Sequence, residues 1–248
     1  MNFGNKIITD GLVLCLDAAD LKSYPGSGNI WYDRTRNKNN GTIYNGEFVA
    51  EVNGGYLRNL NNTSDFFNVG ISDSSSLNSA FSVTTGGWTI EEIIWTNSVT
   101  YPEADAGGVA SGGAYSPAGA TGFDWNHGTI NTAFRFGQSS NSNGNYEVDN
   151  SFTVDSPYNS LNAWRIRTMI WNRTTNRNEL YVNGVYQNYV DTSATSGTAV
   201  YDGGGIVFGA LYGWKHYGRR AAIKVYSRIL SSSEIQTNFN SQRKRFNI

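Results

Sequence analysis

Two carboxylates stand side by side in the run Trp88–Trp95 (WTIEEIIW), and Glu91 and Glu92 are the first residues to weigh as acid–base groups. A glycosidase needs two carboxyl groups roughly 5–9.5 Å apart, flanking one glycosidic bond. The run reads as a strand, however, and successive strand residues point to opposite faces. Glu91 and Glu92 therefore cannot flank one bond. Both faces of the run are mostly apolar, so each carboxylate needs a partner on its own side of a covered sheet. The two histidines, His127 in DWNH and His216 in WKHY, sit beside aromatics in segments that read as loops. No Gly-x-Ser-x-Gly elbow accompanies them, so no catalytic residue is expected. The aromatic and polar residues Tyr115, Phe123, Asp124, Trp125, His127, Trp214, His216 and Tyr217 are instead the candidates for a rim that stacks on sugars or docks on protein. Asp33, Asn37, Asn39 and Asn40 gather carboxylate and amide oxygens in one loop, the donor chemistry of calcium, although the charge count is low and Asn also serves there as a turn former. No cofactor is expected beyond that candidate calcium.

The elements that must carry these residues are strands. Gly11–Leu16 (GLVLCL) reads as a buried strand that encloses Cys15, an inert small hydrophobe in such a place. Asn40-Gly41 and Asn45-Gly46 bracket the strand Thr42–Tyr44 as turn dipeptides. The stretch 71–78 (ISDSSSLN) reads as a loop pinned by Leu77, and 104–122, rich in Gly, Ala and Ser, as a long loop within the domain. WRIRTMIW (164–171) alternates, and ELYVNGVY (179–186) is a hairpin with Asn183-Gly184 at its apex. The one helix expected lies at about 231–244, where Ser231-Ser232-Ser233-Glu234 forms a capping box and Ile235 and Phe239 recur at helical spacing. About a dozen strands, one helix and no βαβ rhythm define an all-β, antiparallel sandwich.

Composition narrows the function classes. The 248 residues carry Lys+Arg 19 against Asp+Glu 20, which argues against nucleic acid as a partner because a binder shows a basic footprint. One cysteine excludes an intramolecular disulfide framework. No apolar run reaches the ~18 residues of a membrane span, and MNFGNKIITDGLVLCLDAAD lacks the layout of a secretory signal. Abundant Gly and Asn would suit disorder, but Trp 7, Tyr 15 and Phe 12 supply the apolar surface that disordered chains lack.

The order of segments resembles the concanavalin A-like, laminin-G-like jelly-roll domains of the kind found in bacteriophage structural proteins. The resemblance is carried by GLVLCLDAADLKSYPGSGNIWYDRTRNKNNGTIYNG, by FFNVGISDSSSLN followed by WTIEEIIW, by WRIRTMIWNRTTNRNELYVNG, and by the closing IKVYSRILSSSEIQTNFNSQRKRF. It implies one jelly-roll domain over residues 1–248. The glutamate-x-aspartate-x-glutamate spacing of the glucanases with this architecture is absent. The implied role is a non-enzymatic virion component, a capsid decoration, knob or tail appendage, assembled in the host cytoplasm. Its expected partners are other virion proteins or further copies of the chain. The alternative is a lectin-like module that binds surface glycans.

Overall fold

The computed structural model describes residues 6–51, 54–59, 68–72, 74–81, 85–96, 106–110, 122–127, 133–139, 151–153, 162–191, 206–211, 214–215 and 218–248. Its first strands are β1 (Leu12–Asp17), β2 (Ile30–Trp31), β3 (Gly41–Tyr44), β4 (Gly46–Val49), β5 (Tyr56–Asn59) and β6 (Asn68–Ile71). Helix α1 (Ser75–Phe81) precedes β7 (Gly87–Thr96), β8 (Ala106–Ala110), β9 (Gly122–His127), β10 (Ala133–Ser139) and β11 (Ser151–Thr153). Then come β12 (Ala163–Asn172), β13 (Arg177–Val182), β14 (Val185–Asp191), β15 (Ile206–Phe208), β16 (Ala210–Leu211), β17 (Trp214–Lys215) and β18 (Gly218–Tyr226), before helix α2 (Ser232–Phe246).

These strands form an all-β, antiparallel sandwich. One sheet runs β14-β13-β12-β7-β18-β5-β4, with β1 paired to β18; the other runs β11-β10-β9-β8-β15-β6-β3-β2. Leu14, Leu16, Trp88, Ile90, Met169, Trp171 and Val225 of the first sheet pack against Trp31, Ile43, Val69, Ile71, Ile206 and Phe208 of the second. The apex of the β13–β14 hairpin has φ of 52° at Asn183 and 77° at Gly184, the paired positive values that Asn-Gly adopts at low cost. Asn40-Gly41 behaves differently from expectation. Gly41 opens β3 with ordinary φ, and it is needed because a Cβ there would lie 2.7 Å from Val69 Cγ1.

Two further expectations are corrected. The stretch 71–78 is not merely a loop, because Leu77, Ala80 and Phe81 recur at helical spacing and α1 drives all three into the core. Phe81 meets Trp88 edge-on at 5.3 Å. Within 104–122, Ala106–Ala110 is a strand: its small residues pair with β9 and β15. Among the described residues there are thus two helices rather than one, and neither is long and apolar enough to cross a membrane.

The two glutamates behave as strand alternation demands. Glu92 faces into the sandwich with Trp88 and Ile90, fully buried, and pairs with Arg167 and with Arg220 at 3.0 Å. Glu91 faces outward, where Lys224 reaches it at 2.6 Å. Helix α2 seals this second pair with polar side chains. Gln242 donates to Glu91 at 3.1 Å and accepts from Lys224 at 2.8 Å, while Asn238 donates to Glu91 at 3.2 Å and accepts from the Ile8 N–H at 2.8 Å. Apolar contacts flank the network, with Ile235 in one cluster beside Tyr181 and Tyr226, and Phe239 and Phe246 in another beside Ile93 and Ile166. Burial, followed by the Glu91 charge, pushes the Tyr226 phenol well above its ordinary range. Burial pushes the Cys15 thiol up to about 11, which makes it unreactive at neutral pH.

The start of α2 is capped as the sequence indicates: the Ser231 side chain accepts from the Glu234 N–H, and the Glu234 carboxylate accepts from the Ser231 N–H. Arg228 also donates to Glu234, at 2.6 and 3.0 Å. These bonds, Arg228 first, lower the Glu234 pKa from 4.5 to about 2.

Removing one partner of a buried ion pair leaves the other charge stranded, at a cost of about 3–5 kcal/mol. Glu91→Ala is therefore expected to lower unfolding free energy by about that amount, measured by urea denaturation at pH 7. The cap gives a pH signature. Because the folded pKa of Glu234 is depressed, its stabilisation is complete above pH 4.5 and fades as pH falls toward 2. The stability gap between the native chain and Glu234→Gln should be about 1 kcal/mol at pH 7 and close as pH approaches 2; a gap that stays constant with pH would contradict the assignment.

Candidate functional site

Strands β7 and β12 each carry a tryptophan at both ends of a run, Trp88 with Trp95 and Trp164 with Trp171. The members of each pair are seven positions apart, an odd offset, so the two lie on opposite faces of the sheet. Antiparallel pairing then sets Trp88 against Trp171 and Trp95 against Trp164. The first couple is stacked inside the sandwich, with ring centroids 6.0 Å apart and planes 7° from parallel. The second couple remains on the outer face, partly exposed.

The same register extends that couple into a row across five strands. Trp164 pairs with Trp95, Trp95 with Arg219, Arg219 with Arg58, and Arg58 with Glu47. Directly opposed residues share a face, so indole, guanidinium and carboxylate groups follow one another on the outer surface. A bulge in β18 between Arg220 and Ala222 accompanies the split of the Arg219-Arg220 dipeptide, one outward and one into the core beside Glu92. Arg219 lies over two rings, 4.3 Å from the centre of Trp95 and 4.8 Å from that of Tyr56. Tyr56 meets Trp164 edge-on at 5.6 Å, and Phe246 lies 4.8 Å from Trp164, where the last turn of α2 ends. The helix thus covers the apolar part of this face and stops at the tryptophans.

Charges border the rings. Arg58 donates to Glu47 at 2.7 Å, and Arg245 holds Asp17 through two bonds of 2.8 Å. Glu51 stands 3.8 Å from Arg219 and close enough to Tyr56 for its charge to act on the phenol. Burial raises the Tyr56 pKa, Arg219 opposes that rise, and Glu51 adds to it. The surface therefore offers flat aromatic area, a guanidinium edge and carboxylates, groups that hold a polyhydroxylated ring by stacking and hydrogen bonding, above a buried Tyr56. A second exposed aromatic surface lies on the edge strand β14. Val185, Tyr186 and Tyr189 are exposed there, Tyr186 packs edge-on against Tyr181 at 5.2 Å, and Arg177 lies 4.0 Å over Tyr189.

Five of the eight rim residues named from the sequence lie among the described residues. Phe123, Asp124, Trp125 and His127 all lie in β9, paired with β8 and β10, so the segment read as a loop is a strand within a sheet. Trp214 is likewise in a strand, β17. Tyr115, His216 and Tyr217 lie outside the described residues. Trp95, Trp164, Tyr56 and Arg219 were missed because tryptophan and tyrosine inside a strand read as core. The seven-residue spacing, applied to both strands, was the signal that one couple must face outward.

The Asp33 loop is bound up in its own hydrogen bonds. Asp33 is buried, and its carboxylate accepts from the N–H groups of Cys15, Thr35 and Asn39, each at 2.9 Å, and from the Thr35 hydroxyl at 2.6 Å. Asn37 and Asn39 both donate through Nδ2 to the Val13 carbonyl at 2.9 Å, and Asn40 Oδ1 accepts from the Asp33 N–H. Donors, rather than open oxygens, surround the carboxylate. The arrangement fits a staple between the loop and β1 and does not fit a calcium ion, which would have to displace those N–H groups. Among the described residues no group of three or more His, Cys, Asp or Glu is placed to hold a metal.

No protein-family model matches the chain, and no curated protein matches it. Solved structures do. The binding domain of Paraclostridial Mosquitocidal Protein 1 superposes with a TM-score of 0.63 at 16% identity, over 93% of this chain and 52% of that one. The binding domain of botulinum neurotoxin DC in complex with rat synaptotagmin II gives 0.60 at 14% identity, over 93% and 51%. Trypanosoma rangeli sialidase in complex with the inhibitor DANA gives 0.62 at 15% identity, over 96% and 34%. The chain spans about half the length of those toxin binding domains and about a third of the sialidase. At such identities the likeness is one of fold, a β-sandwich.

Four hydrogen bonds on one buried carboxylate make Asp33 the staple of its loop. Asp33→Ala should cost about 3 kcal/mol or more in urea unfolding, since charged hydrogen bonds contribute roughly 1.5–3 kcal/mol each but are not additive. The loss should be the same with calcium or with EDTA.

Proposed function

We propose that the chain is a non-enzymatic recognition module, one concanavalin A-like jelly roll, that binds glycan on the outer face of the sheet carrying Trp95 and Trp164. The carrying observation is that row of paired residues: two partly exposed tryptophans continued by Arg219, Arg58 and Glu47 on a rigid sheet. Sites built on strands hold their groups in place before a ligand arrives, which lowers the ordering cost of binding. The fold likeness supports the reading, since the similar solved structures include toxin binding domains described in complex with SialylT and with synaptotagmin II. The absence of catalysis is inferred from Glu91 and Glu92, which face opposite ways and are each held in an ion pair. Calcium is not required in this reading, because the Asp33 loop is already closed by its own donors.

A second reading is favoured by the edge strand β14, whose Val185, Tyr186 and Tyr189 are exposed. An edge bearing such side chains suits coverage by a neighbouring subunit. Together with the segments that resemble phage structural proteins, it supports a virion component, assembled in the host cytoplasm, that docks on capsid or tail subunits or on further copies of itself. The two readings are compatible in an adhesive particle protein.

A glycan array followed by calorimetry tests the first reading. Trp95→Ala should weaken glycan binding at least tenfold, since a buried aromatic anchor is worth about 2 kcal/mol or more, while EDTA leaves affinity unchanged. Tyr186→Ala with Tyr189→Ala should leave glycan binding intact and weaken docking to purified particles. Absence of any glycan ligand would overturn the first reading.

A further inference from the structure

We infer that the glycan carries an oxyanion, a carboxylate or sulfate on the sugar, and that Arg219 is the residue that selects it. The inference rests on the glycan-binding reading above and goes beyond it by naming the ligand's charge.

Arg219 and Arg58 are directly opposed on adjacent strands. Like charges at such positions repel unless each is neutralised. Arg58 is neutralised by Glu47 at 2.7 Å. Arg219 is served less well. Among the described residues its carboxylate neighbour is Glu51 at 3.8 Å, longer than a hydrogen bond, and that side chain is 46% exposed. Meanwhile the Arg219 guanidinium is held over the Trp95 and Tyr56 rings, which restrains it and leaves N–H donors for an incoming acceptor. The planar fork matches a carboxylate or sulfate with two parallel bonds. Arg243, Lys244 and Arg245 in the last turn of α2 add positive charge to the same end of the face, and of these Arg245 is paired with Asp17. A sugar ring lying on Trp95 and Trp164 would bring an acidic substituent to the adjacent register position, which is Arg219.

The test is an array of neutral, carboxylated and sulfated oligosaccharides, with affinities of the strongest binders measured at low and high salt. The expected result is that acidic oligosaccharides bind at least tenfold tighter than their neutral counterparts and that salt erodes the difference. Arg219→Gln should abolish that preference. Glu51→Gln, which leaves Arg219 and both tryptophans in place, should tighten acidic binding several-fold and serves should Arg219→Gln fold poorly. Equal affinity for neutral and acidic sugars, or an acidic preference indifferent to both substitutions, would overturn the inference while leaving glycan recognition standing. Binding to no glycan at all would remove both.

Discussion

Two adjacent carboxylates in the middle of a sheet covered on both sides impose the strictest condition on this protein. Moving a carboxylate out of water costs several kcal/mol even after the surroundings relax, and the cost is offset only by a well-placed counter-charge with its remaining hydrogen bonds met. Glu91 and Glu92 satisfy that condition through register. Lys224 on β18 lies directly opposite Glu91, and Arg167 on β12 lies directly opposite Glu92. A slip of one residue in either neighbour would turn each basic side chain to the wrong face. The central strand therefore specifies its two flanking strands by charge as well as by apolar packing.

The outer half of that arrangement also decides where α2 lies. Glu91 and Lys224 need two more polar groups above them, and Asn238 and Gln242, four residues apart on one face of the helix, supply them. Asn238 reaches further, to Tyr226 and to the backbone of Ile8, so it ties the N-terminal segment to the C-terminal helix. A helix anchored over Glu91 with 15 residues spans roughly 22 Å at 1.5 Å per residue. Its end meets Trp164 through Phe246 and leaves the tryptophan couple partly uncovered. The exposed aromatic surface is thus a consequence of where the buried charges hold the helix.

Much of the frame was legible residue by residue. The opposite facing of Glu91 and Glu92, the need of each for a partner, the Asn183-Gly184 hairpin and the Ser231–Glu234 capping box all follow from local geometry. Helix α1 was not legible within 71–78, because its apolar stripe ends at Ala80 and Phe81 and the window looks merely polar without them. Asn238 was invisible for another reason: a polar residue on the buried side of an amphipathic helix contradicts the pattern unless the charge beneath it is known. The loop reading of one expected rim segment was corrected for a related reason. Trp125 and His127 look like loop residues amid Asn and Gly, yet they occupy a strand.

What the linear order of residues determined was everything set by a period or a short motif: strands, turns, the terminal cap, and which side chains on one strand lie back to back. These depend on neighbours within a few positions, where backbone geometry alone sets direction. Partnership across strands was decided by the tertiary structure. That Trp164, Trp95, Arg219, Arg58 and Glu47 form one row depends on the register of five strands drawn from residues 46 to 226, and register is fixed by long-range burial and charge pairing that no local window contains.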